Sequence, residues 1–366
     1  MIRTIAKTVF TCVCFCVLAT VSHAQTITKF NAPGAGTFIN QGTFAFSINN
    51  SNTIAGYYID SSSVSHGFVR SSSGTITPFD APQAGTSANQ GTRGRVINNG
   101  GTITGSVVDS AGVYHGFVRT AAGSITDFDA PGAGTLIYEG TQPYGMNNSG
   151  IIVGFFYDSA GVRHGFVRTT NGSITQIDIA GGGTGKEQGT SCIQINSSGS
   201  IAGYIIDSAY IVHSFVRAPN GTVTVYDAPG AGSGILQGTI GGAINTAGTI
   251  LGGFIDSAGV YHGYVRSASG TLTPFDVPGG GTKNGQGTQP SGLNTGGISI
   301  GTWIDGGGVN HGYGRTASGQ ILKFNVPGAG TGKGQGTSGL SLNDSSVVTG
   351  YYADSGTVYH GYMLVR

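Results

Sequence analysis

Seven histidines recur every 49 residues without a slip: His66, His115, His164, His213, His262, His311 and His360. No insertion or deletion interrupts the series, so one unit is copied seven times. Spacing of this kind marks repeat architectures, where each copy hides an apolar face that it cannot hide alone.

The second copy shows the local pattern. Residues 75–80 form a short extended segment, and 81–92 form a long loop ending in Gln90-Gly91-Thr92. Strands are expected near 93–97, 102–108 and 113–119, separated by Gly- and Asn-rich turns at 98–101 and 109–112. Regular short strands with turn clusters between them predict an all-β meander. The strands do not alternate apolar with polar; Ile151-Ile152-Val153-Gly154-Phe155-Phe156-Tyr157 is apolar throughout. Such a sheet is covered on both faces. Four-stranded sheets stacked in a ring of about 4–8 make a β-propeller. Seven copies therefore predict a seven-bladed β-propeller of four-stranded antiparallel blades. Ile27-Thr28-Lys29-Phe30 matches the segment that follows the histidine strand in every copy, so the N-terminal strand is expected to close the last blade. The rival is a β-helix or other solenoid, which would need caps that the repeats leave no sequence for.

The first 24 residues read as a secretory signal peptide. Arg3 and Lys7 precede an apolar run over 9–21, and Ser22-His23-Ala24 offers small residues for cleavage. The run is shorter than the ~20 residues of a membrane span. Residues 25–366 are then expected to form a single domain, secreted to the periplasm or beyond. Cys192 is the one cysteine in it, so no disulfide is available. Without Arg3 and Lys7 the basic residues nearly balance the 16 acidic ones. That charge balance gives no footprint for nucleic acid, no membrane insertion is expected, and a monomer is the simplest state. Glycine is abundant, 68 of 366, but without the three-residue period of collagen.

The run Ile97-Asn98-Asn99-Gly100-Gly101-Thr102-Ile103-Thr104-Gly105, followed by His115-Gly116-Phe117-Val118-Arg119, resembles the bacterial extracellular HAF repeats. That family's tripeptide is His-Ala-Phe. Here it reads His-Gly-Phe in three copies, His213-Ser214-Phe215 in the fourth and His-Gly-Tyr in the last three. The resemblance implies an exported bacterial repeat protein and supplies no catalytic residues.

Among the recurrent residues, aspartates stand six positions before the histidines: Asp60, Asp109, Asp158, Asp207, Asp256, Asp305 and Asp354. Seven mid-blade histidines on a ring cannot meet at one ion, whose ligands lie at about 2.0–2.2 Å. No metal or cofactor is expected. The Asp–His pairs are read as a hydrogen-bonded clip, with Thr43, Thr92 or Thr141 as candidate third members. A lectin with one sugar site per blade is a different reading, using the aromatics Phe68 through Tyr362 as platforms.

A single asymmetric site must be written where the copies differ. One such window is the presumed inner strand, where Phe44, Phe46, Arg93, Arg95 and Tyr144 form a candidate ligand site at the channel mouth; its arginines suit an anion or carboxylate. The other is the loop tip, where Phe38, Ile39, Leu136, Ile137, Tyr138, Ile235 and Leu236 form a candidate partner surface. The inner strands carry no Asp, Glu or His. The expectation is a non-catalytic binding scaffold for a glycan, envelope polymer or protein, ahead of a lyase or hydrolase at the channel mouth.

Overall fold

The computed structural model describes residues 25–365, so the expected signal segment lies outside the described residues. Those residues form 28 strands and no helix. The first strand, β1, covers Thr26–Phe30, and a four-stranded meander follows: β2 Gly42–Ile48, β3 Ile54–Ile59, β4 Ser65–Arg70 and β5 Ile76–Phe79. Consecutive strands pair antiparallel, aligning Ala45 with Gly56, Gly56 with Phe68 and Phe68 with Pro78. The same meander recurs seven times, with β1 standing as the outer strand of the last one.

Side chains write the two inner turns. Asn49 Oδ1 accepts from Ser51 N and Thr53 N, and Asp60 Oδ1 accepts from Ser62 N and Val64 N. Asn and Asp do this because their short side chains reach the backbone two and four residues on. The long loop is tied at its start by threonine. Ala32 N donates to Thr43 Oγ1 at 2.8 Å, and Ala81 N to Thr92 Oγ1 likewise. These threonines therefore serve the interunit loop and do not join the histidine clip: Thr43 and Thr92 accept from that buried backbone donor, and the His66 and His115 rings bond aspartates instead.

The ring is closed. A single parallel bridge joins the third strand of each unit to the first strand of the next, as Ser65 to Gly91. The same bridge joins the last unit to the first, Tyr359 to Gly42. β1 pairs antiparallel with Tyr359–Val365, from Thr26 opposite Val365 to Phe30 opposite Gly361. The two ends meet, so the chain forms no open solenoid, and no unpaired inner edge is left to template aggregation. Gly42 sits at φ +118°, and a Cβ there would strike the Tyr359 carbonyl oxygen. Glycine is needed at this crossing because other residues resist that conformation and add bulk.

Apolar burial lies between units. Phe68 joins Ala45, Ile48, Ile54, Tyr58 and Val347, with Phe30 and Met363 against them. Phe68, Phe117, Phe166, Phe215, Tyr264, Tyr313 and Tyr362 are all 0% exposed. Each rests over the strand glycine of its own unit; a Cβ on Gly56 would meet both the Phe44 carbonyl and the Phe68 ring. Burying such a side chain stabilises by about 1.5–3 kcal/mol. The result is an all-β, β-propeller-like ring of like units.

Around the axis, each turn asparagine donates from Nδ2 to the backbone carbonyl of its counterpart one unit on, as Asn49 to Asn98 at 3.2 Å and Asn196 to Asn245 at 3.0 Å. The link recurs at all seven junctions.

Candidate functional site

The recurrent histidines form clips between two strand ends. His66 Nδ1 lies 3.0 Å from Asp80, and its Nε2 lies 3.5 Å from Asp60. His115 bridges Asp129 and Asp109, at 2.9 and 3.3 Å. His164, His213 and His262 repeat the pattern with Asp158 and Asp178, Asp207 and Asp227, and Asp256 and Asp276. His311 uses Asp305 and Asn325, and His360 uses Asp354 and Asn31. Several of these rings stack on the neighbouring strand, Trp303 on His311 at 4.2 Å and Phe254 on His262 at 4.7 Å. The carboxylate of the outer strand, Asp80 and its counterparts, is the clip member that sequence reading missed. Its own 49-residue recurrence was the available signal.

In Asp109, burial raises the carboxyl pKa, but donation from Val113 N, His115 and Ala111 N outweighs it and the net shift is downward. Asp158, Asp256, Asp305 and Asp354 follow the same balance. His115 is shifted up, first by its hydrogen bond to Asp129, against the opposing effect of burial. Among the described residues no group of three or more metal-ligating side chains has the geometry to hold an ion.

The buried ring of Phe68 through Tyr362 cannot serve as a sugar platform, because none of it reaches solvent. The loop tips do reach solvent. Phe38, Ile39, Leu136, Ile137, Tyr138, Ile235 and Leu236 are all more than half exposed, Ile235 at 75%. Tyr138, Glu187 and Leu236 hold φ +68°, +64° and +59° at a position where the other copies place Asn40, Asn89, Gly285 and Gly334. Asn and Gly accept that conformation readily, and bulky side chains do not.

The axial wall carries the asymmetry. In every copy the inner strand has a β-bulge opposite the strand glycine. The first falls between Ala45 and Ser47, skipping Phe46, and the second between Gly94 and Val96, skipping Arg95. The skipped residues are Phe46, Arg95, Tyr144, Ile193, Gly242, Ser291 and Leu340. All seven line one axial cavity of about 550 Å³. A bulge bends the strand and re-aims a side chain; here it turns one residue per unit onto the axis.

Three of these residues pack together. The Arg95 guanidinium stands 3.6 Å from the Tyr144 ring centroid and 5.8 Å from that of Phe46. Phe46 in turn stacks on Tyr57 at 5.4 Å. A second cavity of about 220 Å³ adjoins, lined by Arg93 and Arg95 with Tyr57, Tyr114, Gln142, Tyr144 and Ser106. Arg93 is anchored by Nε to Ser65 Oγ at 3.3 Å and by Nη2 to the Asn89 carbonyl at 3.0 Å. Phe44 departs from the expected site. It is 8% exposed and packed among Tyr57, Tyr351 and Tyr359, whereas its counterparts Arg93 and Gln142, at the same place before the bulge, line the smaller cavity.

No family model and no curated protein matches the chain. The fold is similar to that of the BP39L lectin from Burkholderia pseudomallei, at 10% identity and TM-score 0.55, over 87% of this chain and 93% of that one. It is also similar to a prolyl endopeptidase, at 11% identity and TM-score 0.57, over 85% of this chain and 46% of the other. A puromycin hydrolase mutant gives 12% identity and TM-score 0.50, over 88% and 50%. The chain thus spans about half the length of these two hydrolytic enzymes. At such identities the likeness concerns the fold alone.

That likeness leaves the chemistry to the cavity walls. The larger cavity is lined by aromatic, aliphatic and amide side chains with Arg95 as its charged member. No carboxylate, imidazole or thiol lines either axial cavity.

Proposed function

We propose that this chain is an exported seven-bladed β-propeller with four-stranded blades, acting as a non-catalytic scaffold that holds its ligand at the axis. One observation carries this reading: the bulge presents one side chain per copy to a shared cavity, and this is where the copies disagree. Phe46, Arg95 and Tyr144 occupy one arc, facing Ile193, Gly242, Ser291 and Leu340. The recurrent asparagines are committed to the asparagine ring and the recurrent aspartates and histidines to the clips. A wall offering hydrogen bonds, aromatic edges and one cation, with no acid–base pair, favours binding over a lyase or hydrolase. The likeness to a lectin supports a glycan or envelope polymer as ligand. Export is supported by the signal-like first 24 residues and by the resemblance to HAF repeats.

Calorimetry against a panel of neutral and acidic oligosaccharides, envelope polymers and peptides tests the reading, using wild type, Phe46→Ala and Tyr144→Ala. Binding that both variants weaken is the expected result. Binding untouched by either, but reduced stepwise by His→Ala changes in successive copies, would instead establish a lectin with one site per blade. Mass spectrometry of the exported protein should find Gln25 at its N-terminus.

A further inference from the structure

Arg93 and Arg95 are the charged side chains of the axial cavity and the smaller cavity beside it, and neither has an anionic partner. The ion pairs among the described residues all join histidine to aspartate. Arg95 makes no hydrogen bond to any described residue and is held by ring stacking instead, at 3.6 Å over Tyr144. A stacked guanidinium is fixed in plane while its in-plane N–H donors stay available, which suits a planar acceptor. Arg93 spends two of its five donors on Ser65 and Asn89, leaving both Nη1 hydrogens and one on Nη2. An unneutralised pair of half-buried cations is costly unless an anion arrives to share the site.

The smaller cavity also offers four neutral hydrogen-bonding side chains, Tyr57, Tyr114, Gln142 and Ser106, beside the Phe46 and Tyr144 rings. Burial raises the Tyr57 pKa, with Arg93 and Arg95 opposing, so its phenol stays protonated at neutral pH. A bare anion would leave these four groups without partners. At about 220 Å³ the space is below the roughly 300–1,000 Å³ that takes a drug-sized molecule. It suits one monomer bearing one anionic group and several hydroxyls.

We infer that the smaller cavity binds a single uronate residue of an acidic glycan, its carboxylate on Arg93 and Arg95 and its hydroxyls on the Tyr57, Tyr114, Gln142 and Ser106 side chains. This rests on the axial cavity being the ligand site.

The test is calorimetry of the full chain with oligosaccharides of galacturonate, glucuronate, mannuronate and guluronate. The uncharged hexose counterparts and inorganic phosphate are run beside them. At least one uronate should bind, its neutral counterpart should not, and Arg95→Gln and Arg93→Gln should each weaken it by about tenfold or more. Circular dichroism shows whether each variant is folded; if one is not, Arg95→Lys takes its place, which keeps charge but loses the planar fork. No binding by any uronate overturns the inference. So does equal binding of the neutral sugar, or phosphate binding alone. A neutral ligand lost on Tyr144→Ala but kept on Arg95→Gln would overturn this inference and leave the axial scaffold reading standing.

Discussion

Asn343 donates from Nδ2 to the backbone carbonyl of Asn49 at 3.1 Å across 294 residues of chain. This bond is the seventh and last of the asparagine ring, and it joins the final unit to the first. Its oxygen meanwhile accepts from Val347 N within the turn. One buried side chain therefore fixes a local turn and the closure of the whole circle.

Asn343→Ala should cost about 1–3 kcal/mol, because a buried carbonyl and a buried N–H are both left without partners. Urea unfolding followed by tryptophan fluorescence reads this directly, Trp303 being the only tryptophan. Asn343→Asp keeps the turn acceptor but sets a buried carboxylate oxygen against the Asn49 carbonyl and Asn52 Oδ1, so it should be no more stable than alanine. Equal stability of all three would show that the ring contributes nothing.

Stability should peak in a window set by the clips. The folded pKa values of Asp109, Asp158, Asp256, Asp305 and Asp354 are lowered, since hydrogen bonds to the carboxylates outweigh burial. Their contribution is present above the unfolded carboxylate value of about 3.9 and is lost as pH falls through the folded values. His115 is raised, mainly by Asp129. Its contribution is complete below about pH 6.5 and is lost as pH rises through the folded value. The urea midpoint should therefore be highest between about pH 4 and 6.5. His115→Gln should flatten the alkaline side; an unchanged decline in that variant would refute the assignment.

Cys192 should be inert while the protein is folded. It is fully buried and its thiol is pushed up to about 12, chiefly by burial. The thiolate is the reactive species. Iodoacetamide at pH 8 should label it only at the rate of unfolding, and should label it fully in urea. Fast labelling of the folded chain would mean that the wall between the third and fourth units opens locally.

Much of this architecture was readable beforehand because repetition exposes it. A fixed 49-residue interval gives the unit, its four strands and the residues that every unit needs. The window over residues 93–95 was legible as variable, yet Phe44 and Phe46 looked equivalent there. The β-bulge separates them, sending Phe46 to the axis and Phe44 between units. A bulge depends on backbone hydrogen bonding across two strands, and alternation along one strand does not reveal it. The outer-strand partner Asp80 is harder to assign from sequence, because Asp60 stands nearer to His66 along the chain.

Leu236→Asn should stabilise the fold by about 0.5–1 kcal/mol. Leu236 holds φ +59° with more than half its surface in water, so it carries strain without the return of burial. Equivalent loops satisfy the same backbone with Asn40 and Asn89. Glu187 holds the same conformation at φ +64°, so the strain is not confined to the apolar tips. A gain in melting temperature for Leu236→Asn and for Tyr138→Asn would show that the backbone there is strained. A loss would show that these tips are structural.

The exchange of phenylalanine for tyrosine at the buried aromatic position should have opposite consequences in neighbouring units. Tyr264 places its hydroxyl 3.0 Å from Ser214 Oγ and 3.2 Å from the Tyr226 hydroxyl, both in the preceding unit. Ser214 stands where the other copies have glycine beside the histidine, so the fourth copy's departure and the fifth copy's hydroxyl answer each other. Tyr313 has an equally buried hydroxyl but no partner for it, and Gly263 occupies the position equivalent to Ser214. Removing a satisfied buried hydroxyl costs about 0.5–1.5 kcal/mol and strands its partner, whereas removing an unsatisfied one relieves a desolvation penalty. Tyr264→Phe should therefore destabilise, and Tyr313→Phe should leave stability unchanged or raise it. Adding Ser214→Gly to Tyr264→Phe should recover part of the loss, because the stranded serine goes with it. Denaturation of the two single variants and the double variant measures this coupling, and strict additivity would show that the two hydroxyls do not interact.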